Sequence, residues 1–287
     1  LHFTLGNLFR RRGEYDRAVR VHEHLLARAD LSSLDRERAQ LELAQDYTKA
    51  GLLDRAEAAI KGTTLGLGEL NTRDAQQLLL SLYERGRDWA GAGHMAELLE
   101  VSGAGSYAKR RAHYLCEQQL FEAAIALSPT SPRAYIELAR KQAQAGDFLA
   151  SYSLLTSAGS LAPQALPLLA SQLLVSAKTD EHKQAAIQTL ATAYAQTHSL
   201  GVLEALIGAG WQDARRAYAA HLVKEPSLVA ASYLIESPET QAALQKACEP
   251  LKRYRCAACG FEAKQYFWQC PGCQAWDSYP FRRVEEL

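Results

Sequence analysis

Four of the six cysteines, Cys256, Cys259, Cys270 and Cys273, fall within 18 residues near the C-terminus as two Cys-x-x-Cys pairs separated by ten residues. Thiolates at that spacing suit one chemistry above others: two tight turns face each other and set four sulfurs tetrahedrally about one metal ion. In each turn backbone N–H groups point toward the first cysteine's sulfur. Gly260 after the first pair and Gly272 within the second are expected to relieve crowding where the chain curls. Four thiolates accept either Zn(II) or iron. Their closed shell leaves no open position, which argues against hydrolytic metal chemistry but permits redox or metal sensing. Disulfides or a thioredoxin-type dithiol compete with this reading. A reducing cytosol disfavours the first, and the second does not come doubled in a Cys-poor helical chain.

No other catalytic constellation stands out, and the site assignment is metal-binding with no catalytic residues. G-x-S-x-G, H-E-x-x-H and Walker-type loops are missing from the sequence. The glycine pairs Gly66/Gly68, Gly91/Gly93, Gly103/Gly105 and Gly208/Gly210 read as turns, without the strand-to-helix setting a phosphate loop needs. His22 and His24 point to different helix faces, and His94, His113, His182, His198 and His221 show no evident partner, so packed or solvated roles are expected. Cys116 and Cys248 read as small buried apolar residues. The triplets Arg10-Arg11-Arg12 and Lys109-Arg110-Arg111 read as solvated faces. With 32 Lys+Arg against 32 Asp+Glu there is no polyelectrolyte drive toward nucleic acid.

The elements that must carry the cysteines change character near Pro250. Before it the chain is rich in Ala, Leu, Gln, Glu and Arg; after it Tyr, Phe, Trp, Cys and Gly gather around little aliphatic material. This divides the chain into a helical body, 1–249, and a metal module, 250–287. The module is too small to fold by apolar burial alone, so metal binding energy is expected to be folding energy. Tyr254, Phe261, Tyr266, Phe267, Trp268, Trp276 and Tyr279 are expected to supply its core and its contact with the helices.

The body carries a repeat. Leu5-Gly6-Asn7-Leu8-Phe9 followed by Gly13-Glu14-Tyr15-Asp16-Arg17-Ala18 has tetratricopeptide spacing, and the frame recurs at Gly51 to Ala56, at Gly86 to Trp89 and at Gly146 to Phe148. Small residues at Gly6, Ala44 and Ala139 let paired helices approach, and a glycine takes the turn. Ala112 to Leu127 reads as a contracted hairpin without a glycine turn, and beyond Pro163 irregular helical hairpins are expected. The fold class is therefore all-α: a tetratricopeptide-repeat right-handed superhelix with a concave wall, ending in a small tetracysteine module of zinc-ribbon type. Aligning the repeats on Gly13, Gly51, Gly86 and Gly146 puts Arg38, Arg73 and Arg133 at one groove-facing position. Asn7, Arg10, Gln45, Lys49 and Arg140 fall at other inner positions, so the wall is expected either to present donors to an acidic peptide or simply to carry solubilising charges.

The combination resembles the bacterial lipopolysaccharide assembly protein B family over essentially the whole chain. The likeness rests on the Leu5 to Ala18 segment and on Tyr254-Arg255-Cys256-x-x-Cys259-Gly260-Phe261 followed by Trp268-x-Cys270-Pro271-x-Cys273-x-Ala275-Trp276. It implies a rubredoxin-like metal module at Cys256, Cys259, Cys270 and Cys273 holding one Fe or Zn ion. It also implies a non-enzymatic regulator of lipopolysaccharide synthesis on the cytoplasmic face of the bacterial inner membrane, held there by an N-terminal helix. Its implied partners are a membrane-bound AAA metalloprotease, the UDP-3-O-acyl-N-acetylglucosamine deacetylase whose degradation it promotes, and associated inner-membrane proteins. A redox-sensing or electron-transfer protein with an iron tetracysteine centre is the alternative. The chain opens in mid-pattern at Leu1 with Met95 its only methionine, so the anchor is expected upstream of these residues. No run approaches 18 consecutive apolar residues, the nearest being Leu161 to Val175, and no signal peptide is expected.

Overall fold

The computed structural model describes residues 1–63 and 69–287, which form two compact units, Leu1–Gln119 and Leu120–Leu287. The glycines Gly66 and Gly68 lie outside the described residues.

The first unit holds α1 (His2–Arg11), α2 (Tyr15–Leu26), α3 (Ser33–Ala50), α4 (Leu53–Thr63), α5 (Glu69–Gly86), α6 (Trp89–Val101) and α7 (Ala108–Glu117). Helices pair in sequence, α1 with α2, α3 with α4 and α5 with α6, as tetratricopeptide hairpins do. Two hairpin turns are made by Gly13 (φ +78°) and Gly51 (φ +79°), where a left-handed residue stops one helix and lets the next turn back. Five residues beyond each turn a small side chain, Ala18 or Ala56, is fully buried where the helices cross. The third hairpin departs from the expected register: Gly86 is still helical, and Arg87 (φ +57°) makes the turn. Counting five residues from Arg87 reaches Ala92, again fully buried, which fixes the shift. Leu41, Leu43, Tyr47, Ile60, Leu79 and Leu82 form this unit's core.

The second unit holds α8 (Phe121–Leu127), α9 (Pro132–Gln144), α10 (Phe148–Leu161), α11 (Leu166–Ser176), α12 (Asp180–Thr197), α13 (Leu200–Gly208), α14 (Ala214–Lys224), α15 (Leu228–Ser232) and α16 (Pro238–Cys248). Gly146 (φ +86°) turns α9 into α10, with Ser151 fully buried five residues on. The contracted segment 112–127 is two short helices, and the left-handed residue after α7 is Gln119 (φ +60°) in place of a glycine. Leu155, Leu169, Leu190, Leu203 and Leu206 lie at the centre of a core that continues to Cys248. Among the described residues no single helix is long and apolar enough to cross a membrane; the apolar pair α10 and α11 is bent by 119° and lines that core. After α16 a 3-10 turn over Glu249–Lys252 leads into the two-stranded hairpin β1 (Tyr254–Arg255) and β2 (Glu262–Ala263), with Tyr254 opposite Ala263 and Arg255 opposite Glu262.

Candidate metal centre

Each Cys-x-x-Cys pair sits on a tight turn closed by backbone hydrogen bonds. In the first, the Gly260 N–H donates to the Cys256 carbonyl (2.8 Å) and the Cys256 N–H to the Phe261 carbonyl (2.9 Å). In the second, the Gln274 N–H donates to the Cys270 carbonyl (2.8 Å) and the Cys270 N–H to the Ala275 carbonyl (2.9 Å). The left-handed residue after the first pair is Gly260 (φ +78°), as its position suggested, but in the second turn Gln274 (φ +62°) fills that place. Gly272 instead allows close approach, since a Cβ there would press on the Phe261 ring at 3.3–3.4 Å.

These turns bring all four sulfurs within 4.8 Å of one another, with Cys256 to Cys273 at 3.8 Å and Cys259 to Cys270 at 3.7 Å. A tetrahedron with metal–sulfur bonds of about 2.3 Å has edges of about 3.8 Å, so the four cysteines form a site able to hold one metal ion. Cys256 and Cys270 are buried, Cys259 and Cys273 exposed. Burial pushes the Cys256 thiol up, but the Ser278 hydroxyl and the N–H groups of Cys259 and Ala258 outweigh it and bring the thiol down to about 6. Burial likewise opposes ionisation of Cys270, and the N–H groups of Cys273 and Gly272 with the Tyr279 hydroxyl overcome it. Cys259 receives the Phe261 N–H, yet burial and the three neighbouring sulfurs push it up to about 12. A fourth thiolate beside the others is opposed by their charge, and a divalent cation would supply the counter-charge.

Ser278 was not singled out by the sequence, and Tyr279 was expected only as a core aromatic, not as a neighbour of the sulfurs. The Ser278 hydroxyl lies 3.3 Å from the Cys256 sulfur and the Tyr279 hydroxyl 3.8 Å from the Cys270 sulfur. The expected aromatic core forms around Tyr266, which meets Tyr254, Trp268, Tyr279 and Phe281 at 5.0–6.0 Å between ring centres. Trp268 also packs against the helical core of its unit. Phe261 does not join them; it is 45% exposed. The chain's end ties the site to the helices. The Arg283 guanidinium pairs with Glu204 at 2.7 Å, Glu286 accepts the Leu200 N–H at 2.8 Å, and Glu285 accepts the Val229 N–H at 2.9 Å. The two glutamates thereby satisfy donors left open at the starts of α13 and α15.

The residues expected on a partner-binding wall divide differently. Arg10 is not a solvated charge. It bonds Asp46 (2.8 Å), Glu42 (2.6 Å) and Asn7 (2.7 Å), and Asp46 in turn holds fully buried His22, a partner the sequence did not reveal. Arg133 is buried, paired with Glu137 at 2.7 Å and set over the Trp276 ring of the metal module. Arg110 and Arg111 are likewise ion-paired, to Glu84 and to Glu97 and Glu100. Arg38 and Gln45 line a groove of about 660 Å³ between α3 and α5. With Arg87 as the turn residue, the position equivalent to Arg38 and Arg133 belongs to Asp74, and exposed Arg73 stands one residue away from it. Lys49 and Arg140 are exposed.

Residues 254–279 match the family model described as a rubredoxin metal binding domain. Over its whole length the chain is 30% identical to lipopolysaccharide assembly protein B of Escherichia coli strain K12, covering 82% of that protein. The chain belongs to the lipopolysaccharide assembly protein B family. The Haemophilus influenzae protein of the same name is 26% identical over 96% of this chain and 77% of its own length. Among solved structures, the C-terminal part of a TPR repeat-containing protein from Cytophaga hutchinsonii covers 85% of this chain and 95% of its own, at 13% identity and a TM-score of 0.44.

Proposed function

We propose that this chain is a non-enzymatic adapter in lipopolysaccharide assembly. It grips protein partners through residues 1–249 and carries one Fe or Zn ion on Cys256, Cys259, Cys270 and Cys273 in the module 250–287. The observation that carries this reading is similarity to a lipopolysaccharide assembly protein along this whole chain and 82% of that protein, joined to a tetracysteine site whose sulfur spacing fits a metal. On this reading the protein works at the cytoplasmic face of the inner membrane and presents the UDP-3-O-acyl-N-acetylglucosamine deacetylase to a membrane-bound AAA metalloprotease. Catalysis belongs to those partners. The closed four-sulfur shell supports a structural role for the ion, which holds the module in shape on the helices.

The test is expression in bacteria depleted of their own family member, with the deacetylase half-life followed by immunoblot. The intact chain should shorten that half-life, and Cys256→Ser/Cys259→Ser should not. A half-life indifferent to the intact chain would sink the adapter reading. Elemental analysis and visible absorption of the purified protein would separate colourless zinc from a redox-active iron centre.

A further inference from the structure

Resting on the adapter reading, we infer that the groove between α3 and α5 receives a cationic peptide segment, reversing the acidic partner that the arginine pattern suggested. Two of the arginines counted toward an acidic partner are already engaged: Arg10 is bound to Glu42 and Asp46, and the Arg38 guanidinium lies 4.6 Å over the Phe3 ring. What the groove offers a newcomer is carboxylate. Asp74 is exposed and, among the described residues, has no hydrogen-bond or ion-pair partner, while Asp35 has only the Ser32 hydroxyl and no cation among them. Leu34, 65% exposed at the mouth, and Leu41 and Leu78 within provide apolar contact beside these charges. Gln45 and Gln77 add amide donors and acceptors suited to an extended backbone. A segment pairing Lys or Arg with a neighbouring aliphatic side chain complements this wall, whereas an acidic one would meet Asp35, Glu42 and Asp74 against a single lining arginine.

The test uses the full chain and a phage-displayed library of random peptides, followed by binding measurements on synthetic copies of the enriched sequences. Peptides with Lys or Arg beside Leu, Ile or Val should enrich, and Asp and Glu should be depleted. Asp74→Lys should weaken them about tenfold, the loss of one charge-assisted hydrogen bond, and Arg38→Glu should leave them bound as tightly or more so. Circular dichroism and metal content establish that each variant folds. Enrichment of acidic peptides that Arg38→Glu weakens would overturn the inference, as would cationic peptides indifferent to Asp74→Lys. Either result leaves the adapter reading to its own measurement, the deacetylase half-life.

Discussion

Arg283, three residues before Glu286, and Glu204 on α13 face each other at 2.7 Å with only 24% and 23% of their side chains exposed. An ion pair so sheltered loses more when halved than when absent, because the remaining partner stays partly buried without its counter-charge. Arg283→Ala should therefore destabilise the second unit by about 1–2 kcal/mol. Urea unfolding followed by tryptophan fluorescence measures this, with Trp268 reporting the contact. An unchanged midpoint would show that the pair contributes nothing to holding the tail.

The two glutamates beside it act on backbone rather than on charge. Glu285 and Glu286 each accept an N–H at the start of a helix, and removing such a cap costs about 1 kcal/mol. The double substitution Glu285→Ala/Glu286→Ala should speed metal release to a chelator, because the module loses its ties to α13 and α15. Equal release rates in both proteins would reject the coupling.

How much of this was legible beforehand follows from sequence separation. The cysteine site was readable because its geometry is written in Cys-x-x-Cys spacings and closed by turns of a few residues. The first two hairpins and the α9–α10 hairpin were readable because Gly13, Gly51 and Gly146 occupy the left-handed turn itself. The Arg283–Glu204 contact spans 79 residues and the Glu286–Leu200 contact 86, and no local pattern encodes either. Arg10 looked solvated because its partners Glu42 and Asp46 lie on α3, more than 30 residues on. The third hairpin misled for a simpler reason: its glycine stands one residue before the turn, which displaced the inferred groove position from Asp74 to Arg73.

Metal removal should unfold the module selectively. Its core is a few aromatic rings around Tyr266 and Tyr279, too little to offset the ordering of residues 250–287 without the ion. Chelation under reducing conditions should abolish the near-ultraviolet dichroism of Trp268 and Trp276 while leaving most helical signal in place. Retention of that aromatic signal in metal-free protein would show that the module folds without an ion.

Acid should release the metal, and the Ser278 hydroxyl should set where. Cys256 is depressed to about 6 from an ordinary thiol near 9, so its contribution to the folded site is complete above pH 9 and is lost as pH falls through 6. Cys259, raised to about 12, is protonated throughout this range and must shed its proton on loading. Apparent affinity should therefore rise with pH across this range and fall more steeply as pH drops through 6. Ser278→Ala removes a donor to the Cys256 thiolate, so the steep region should move to higher pH. Competition with a chromophoric chelator from pH 5 to 9 reads both slopes, and identical profiles for the two proteins would exclude the hydroxyl's role.

The register of the third hairpin makes two glycine substitutions differ in sign. Gly51 is left-handed at φ +79°, where a Cβ is strained, so Gly51→Ala should cost about 1 kcal/mol. Gly86 is helical, and a Cβ there would meet only the Leu53 side chain at an ordinary 3.8 Å. Alanine also loses less backbone freedom on folding than glycine does, so Gly86→Ala should stabilise by about 0.5–1 kcal/mol. Arg87→Gly should do the same from the other side, because arginine now bears the left-handed strain at φ +57°. Thermal unfolding of the three variants decides the matter: destabilisation by Gly86→Ala would return the turn to Gly86 and restore Arg73 to the groove position now held by Asp74.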